Sequence, residues 1–105
     1  REGVSRDRII IDPGFGFGKS VSQNFEIIAR LAELRAFNCA VLLGVSRKSS
    51  LASIAGGDPE IRDTATAAVS AVSTFAKSAD ILRVHDVAKN VAAVRTANEI
   101  LRWTK

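Results

Sequence analysis

The sequence predicts an α/β fold built of repeated βα units around a parallel sheet. Short apolar runs occur at Ile9-Ile10-Ile11, Ala40-Val41-Leu42-Leu43 and Ile81-Leu82, and a buried parallel strand reads as an unbroken apolar run. Each run passes into glycine or charge and then into a helical pattern, so strands alternate with helices and the crossovers are right-handed. The third observation is chemical. Asp12-Pro13-Gly14-Phe15-Gly16-Phe17-Gly18-Lys19, Gly44-Val45-Ser46-Arg47-Lys48-Ser49 and Arg83-Val84-His85-Asp86 all follow strand ends, where ligands bind in such folds. Together they predict one rim assembled from three loops.

The first strand is expected over residues 8–11. Ser20 and Gln23 then fit a capping box, and Ile27, Ile28, Leu31 and Leu34 follow at helical spacing. Phe37-Asn38 closes that helix. The second strand is expected over 40–43, and a short helical turn over 50–55 breaks at Gly56-Gly57. Asp58-Pro59-Glu60 is a strong helix start, with Asp as N-cap and Pro at the first position. Ile61, Ala65, Ala68, Val69, Val72 and Ala76 are expected on one face of it, where small residues permit close approach to the sheet or to a partner subunit. The third strand is expected over 80–84. Asp86 can cap the last helix, whose stripe is Val87, Val91, Val94 and Leu101.

The chain has 105 residues, whereas a closed (β/α)8 barrel takes roughly 250. With an opening Arg1-Glu2-Gly3-Val4 and no initiator Met, it is expected to be a piece of a longer protein. Fifteen basic against 11 acidic residues give a net charge of +4, which favours an anionic ligand. No basic run is interleaved with aromatics, so nucleic acid is not an expected partner. One Cys excludes an internal disulfide framework and fits a reducing compartment, hence the cytoplasm. Cys39 is expected to be a small core residue. No apolar stretch approaches the ~20 residues of a membrane span.

The glycine loop approaches two phosphate motifs and completes neither. G-x-x-x-x-G-K-[ST] needs glycine where Pro13 stands, and G-x-G-x-x-G meets Lys19 or Val21 at its last position. A plain glycine turn does not explain the alternation with Phe15 and Phe17; aromatics on a loop suit a flat ring. Asp12 reads either as a turn starter before Pro13-Gly14 or as an acceptor for two N–H groups on the edge of a heterocycle. Ser46-Arg47-Lys48-Ser49 crowds two cations and two hydroxyls at a helix start. Cations there oppose the helix dipole and call for an anion or polar ligand; a solvated helix start is the alternative. Arg83 and His85, at i and i+2, share one side of a strand and make a compact anion grip, with a structural His as the alternative. One His and one Cys at no ligand spacing yield no metal site within this chain. No G-x-S-x-G occurs, so there is no nucleophile elbow.

The three segments, in this order and each at a strand end, resemble the C-terminal signatures of the dihydropteroate synthases, over about residues 8–101. Methyltetrahydrofolate methyltransferases share the architecture but not the Ser-Arg-Lys-Ser and Arg-Val-His-Asp pair. The resemblance implies an α/β fold comprising the last three βα units of a (β/α)8 TIM barrel, parallel strands with outer helices. Residues 1–105 would be a C-terminal fragment of a single pterin-binding barrel domain. It implies a transferase of folate biosynthesis, condensing (7,8-dihydropterin-6-yl)methyl diphosphate with p-aminobenzoate to give 7,8-dihydropteroate and diphosphate. Lys48, Arg83 and His85 are the implied catalytic residues. Asp12 would hold the aminopyrimidine edge, and Lys48 would bond the pterin ring near the aminobenzoate. Arg83 would stack on the pterin face and, with His85, hold the diphosphate. Phe17 and Ser49 would border the aminobenzoate pocket, where sulfonamides compete, and Gly44 belongs to the implied substrate-binding set. Fixed cations and donors suit an anionic leaving group. Mg2+ is the implied cofactor, on an Asn outside this chain. The resemblance also implies a homodimer through the last helices, with which the Ala-rich face over 61–76 is compatible. Further pterin contacts and two mobile loops belong to the earlier units, so this chain alone is expected to be inactive. A non-catalytic pterin- or anion-binding paralogue is the alternative.

Overall fold

The computed structural model of the chain describes residues 5, 8–15, 19–46 and 48–104. Strand β1 (Ile10–Ile11) is followed by helix α1 (Val21–Ala29) and a 3-10 segment (Leu31–Phe37). Strand β2 (Ala40–Leu43) is followed by α2 (Ser49–Ala55) and α3 (Pro59–Phe75), and β3 (Ile81–Leu82) by α4 (Val87–Leu101). The strands form one parallel sheet in the order β1-β2-β3. Ile10 and Ile11 pair with Ala40 and Val41, and Leu42 and Leu43 with Ile81 and Leu82. The repeated βα plan is therefore the one that the apolar runs predict.

The helix starts follow local chemistry. Ser20 Oγ accepts from the Gln23 amide at 3.1 Å while Gln23 Oε1 accepts from the Ser20 amide at 2.9 Å, a complete capping box. Asp58 accepts from the Glu60 amide at 2.8 Å with Pro59 behind it, and Asp86 accepts from the Lys89 amide at 3.0 Å. Each such cap stabilises its helix by about 0.5–2 kcal/mol. Asn38 ends the 3-10 segment at φ 56°, a left-handed conformation that Asn tolerates better than most residues.

The outer strands are shorter than expected. Arg8 turns back instead, its amide donating to the Ser5 carbonyl at 2.9 Å. Beside β3, Asp80 spends its carboxylate on the Val41 amide (2.8 Å) and on Arg35 (2.6 Å). Main-chain bonds from Asp80 to Val41 (2.8 Å) and from Arg83 to Leu43 (3.1 Å) still carry the pairing past both ends of β3.

β2 is the centre of the core. Val41 and Leu43 are buried with Phe15, Leu31, Val45, Leu51 and Val69, each worth about 1.5–3 kcal/mol if fully removed from water. Phe15 is thus a core side chain, not the loop aromatic expected for a flat ligand. Cys39 is only half-buried, its thiol 3.4 Å from the Phe37 carbonyl.

Of the apolar residues expected on one face of each long helix, Val69 is buried, Ala65 packs against the core, and Val94 and Leu101 are half-buried, while other members are exposed. In α3 the buried residues are Asp63, Thr66, Val69, Ser70 and Ser73, while Ile61 and Val72 are exposed. In α4 Asn90 and Ala97 are buried, and Val87 and Val91 are exposed. The α3–α4 seam carries polar contacts, although the Ser73 hydroxyl has no hydrogen-bond partner among the described residues. Ser70 donates to Asn90 Oδ1 at 2.5 Å, Asn90 donates to the Asp86 carbonyl at 2.7 Å, and Thr66 bonds back to the Arg62 carbonyl at 2.9 Å. Small hydroxyls that return their protons to the main chain or to each other bury without the penalty of an unpaired group. Among the described residues no helix is long and apolar enough to cross a membrane.

Candidate functional site

The loops after β2 and β3 meet in a cleft of about 200 Å³ lined by Gly44, Ser46, Lys48, Arg83, Val84 and His85. The buried run Leu43–Ser46 brings the second loop to the rim, and a turn joins the Lys48 amide to the Val45 carbonyl (3.1 Å) beside the cleft that Lys48 lines. The Arg83 amide on the Leu43 carbonyl sets the third loop beside the second. Arg83 and His85 both line the cleft, with Val84 between them, past the end of β3 at Leu82.

Gly44 lies beneath the Arg83 guanidinium. A Cβ at position 44 would fall 2.8 Å from Arg83 Cζ and 3.0 Å from Nε, so the close approach requires glycine. Lys48 Nζ donates to the Phe15 carbonyl at 2.8 Å. This bond ties the loop after β1 to the loop after β2 and gives Lys48 a fixed oxygen partner at the helix start. On the other side, Ser46 Oγ lies 2.6 Å from His85 Nδ1 and accepts from the His85 amide at 3.0 Å. The three loops are therefore cross-linked in series, by Lys48 to the first and by Ser46 to the third.

Of the expected site residues, Gly44, Lys48, Arg83 and His85 are brought together. Asp12 is exposed and does not line this cleft; its Oδ1 accepts from the Gly14 amide at 2.9 Å. That is the turn-starting geometry, with Gly14 at φ 77°. Ser49 is the exposed first residue of α2. Phe17 and Arg47 lie outside the described residues. Ser46 is a member of the site that pattern reading did not single out. Its only sequence signal is a hydroxyl in the Ser46-Arg47-Lys48-Ser49 cluster, and its partner is 39 residues away.

Among the described residues the lining carries Lys48, Arg83 and an imidazole and no acidic side chain. Such a cleft attracts anions, and the guanidinium offers them paired donors in a fixed plane. A strongly held carboxylate just before β3, away from the cleft lining, serves the fold. Asp80 sits below its ordinary range, chiefly through the hydrogen bond from Arg35 and secondarily through the Val41 amide. Among the described residues no group of three or more His, Cys, Asp or Glu is placed to hold a metal ion.

Comparison with known proteins places this geometry. The chain is 38% identical over 99 residues to the dihydropteroate synthase of Escherichia coli K12, covering 94% of this chain and 35% of that one. It superposes on the Stenotrophomonas maltophilia dihydropteroate synthase with active site-bound imidazole at a TM-score of 0.89. The identity there is 34%, over 98% of this chain and 39% of that one. The Yersinia pestis dihydropteroate synthase in a sulfonamide drug complex gives a TM-score of 0.87 at 35% identity, over 98% and 37% of the two chains. The chain spans between 11% and 38% of the length of such curated relatives. The family model of the pterin binding enzymes matches residues 1–85, a stretch that contains every strand and the whole cleft. With three parallel βα units and a cationic rim at their strand ends, the chain belongs to the pterin binding enzyme family.

Proposed function

We propose that this chain is the C-terminal part of a dihydropteroate synthase, residues 1–105 being the last three units of a single pterin-binding (β/α)8 barrel domain. The reaction is condensation of (7,8-dihydropterin-6-yl)methyl diphosphate with p-aminobenzoate. The aminobenzoate nitrogen forms a C–N bond to the pterin methylene carbon, the C–O bond to diphosphate breaks, and the amine gives up a proton. The observation that carries the reading is the cleft in which Lys48, Arg83 and His85 converge above Gly44, with no acidic side chain in its lining among the described residues. Charge leaves with the diphosphate, and preorganised donors at that point lower the barrier.

In this reading Arg83 and His85 hold the diphosphate, and Arg83 also covers the pterin face. Lys48 bonds the pterin ring and borders the aminobenzoate. Asp12 receives the aminopyrimidine edge, and Phe17 and Ser49 flank the aminobenzoate pocket, where sulfonamides compete. The Yersinia pestis dihydropteroate synthase in a sulfonamide drug complex supports sulfonamides as ligands. Mg2+ belongs to the proposal as a counter-ion of the diphosphate, with its protein ligand outside this chain. A cytoplasmic homodimer completes it, and the fragment alone is inactive because the remaining substrate contacts lie on other units.

The test uses the full-length protein with both substrates and follows dihydropteroate and diphosphate release. Product formation, sulfonamide competition against p-aminobenzoate and weakened diphosphate binding in Arg83→Ala and His85→Ala are expected. A protein that binds the pterin diphosphate and forms no product is the non-catalytic paralogue. Diphosphate affinity unchanged in both variants removes the anion-site assignment.

A further inference from the structure

Ser46 touches His85 twice, at the ring and at the main chain. Its Oγ is 2.6 Å from Nδ1 and 3.0 Å from the His85 amide nitrogen, which can only donate. A serine hydroxyl has one proton and two acceptor sites. With one acceptor site taken by the amide, the proton is available to Nδ1 when the ring is neutral. A neutral ring that accepts at Nδ1 carries its own proton on Nε2. When the ring is charged, the hydroxyl rotates and takes the Nδ1 proton in its second acceptor site. In both states Nδ1 stays on Ser46, and Nε2–H is left to face a ligand in the cleft that His85 lines.

We propose that Ser46 is a positioning residue that fixes the His85 ring and its tautomer, so that Nε2–H is presented to the leaving anion whatever the ring's charge. The inference rests on reading the cleft as the diphosphate site. The chemistry of the partner argues for it. A main-chain amide beside Nδ1 would serve only the neutral ring, and a carbonyl only a ring protonated there. A carboxylate only accepts, so it would hold the proton on Nδ1, and it would set a negative charge beside the diphosphate. A buried hydroxyl is small, neutral and able to act in both directions. Ser46 is 9% exposed, so water does not readily take its place.

The test is made on full-length protein with 15N-labelled histidine, His85 being assigned by the signals lost in His85→Gln. The neutral form of the ring is the one read. The expected wild-type spectrum shows the proton on Nε2 and a bare Nδ1. Ser46→Ala should give a mixture of tautomers and a fall of about tenfold in kcat/KM for the pterin diphosphate, equivalent to ~1.4 kcal/mol. Ser46→Thr should restore both. A wild-type ring protonated on Nδ1 overturns the proposal, as does a tautomer ratio indifferent to Ser46→Ala. The wild-type spectrum alone decides if the alanine variant fails to fold. Failure of the functional reading is separable: it appears in wild type as no product and no response of the imidazole to inorganic diphosphate, while the tautomer result still judges Ser46.

Discussion

Adding one methyl group at Gly44 should displace Arg83 without disturbing the fold. Gly44 has no left-handed φ, unlike Gly14 and Gly56, so alanine suits its backbone. The atoms the methyl group meets are Arg83 Cζ at 2.8 Å and Nε at 3.0 Å, well inside the 3.4–4 Å of ordinary contact. They form the end of a flexible side chain, which yields before the backbone does. The guanidinium must retreat by roughly half an ångström or more. A misplacement of ~1 Å can cost on the order of a hundredfold, so Gly44→Ala should lower kcat/KM by about 10- to 100-fold, or ~1.4–2.8 kcal/mol. Inorganic diphosphate titrated by calorimetry into full-length protein should show weakened binding, with Tm changed by only a few degrees. A double-mutant cycle sharpens the result. If Gly44 acts through Arg83, its substitution should add nothing in an Arg83→Ala background. Affinity and kcat/KM within twofold of the parent, or full additivity in the cycle, would refute the reasoning.

Lys48→Ala should remove a charge-assisted contact worth ~1.5–3 kcal/mol, seen as a 10- to 150-fold loss in catalytic efficiency at a retained fold; kinetics within twofold would exclude a substrate contact. Asp80 is held below its usual range by Arg35 and the Val41 amide, so its contribution to stability is present above the unfolded carboxylate value near 3.9. That contribution is lost as pH falls through the folded value. Urea melts of Asp80→Asn between about pH 7 and pH 3 should therefore converge on the parent at the acid end, and parallel curves would discount the pair. Asp58→Ala should cost about 0.5–2 kcal/mol by uncapping α3, read as a lowered urea midpoint with unchanged slope. Expressed alone, the chain should self-associate through its exposed sheet edges; a monodisperse monomer by light scattering would contradict that.

The legible parts of this fold are those written in neighbouring residues. The Ser20–Gln23 box, the Asp58-Pro59 start and the Asp86 cap are contacts over two or three positions, and β2 is a plain apolar run. Arg83 and His85 both line the cleft, but beyond the end of β3 and with Val84 between them also in the lining. What escaped reading depends on distant partners. The inward face of α3 is polar because Ser70 meets Asn90, 20 residues later, and no periodicity of apolar residues reveals that. Phe15 looks like a ligand-binding aromatic until β2 and α2 are seen to enclose it with Leu43 and Leu51. Ser46 gains its meaning from His85, and Asp12's nearest bond is to Gly14 rather than across the cleft.

The Phe15 carbonyl that receives Lys48 belongs to a residue whose ring is 1% exposed. One residue therefore serves as hinge pin for two systems. Its ring is gripped by the hydrophobic interior, and its main chain sets where a rim cation rests. Packing and recognition cannot drift apart at this point: a slacker interior moves the oxygen, and the oxygen moves the ammonium. A trimmed ring would open a void costing about 3–5 kcal/mol and loosen Lys48 in the same stroke. Variation at position 15 is thus coupled variation, in which any gain in tolerance for a new ligand is bought with solidity of the interior. Adaptation of the rim has more freedom at Ser49, exposed at the head of α2.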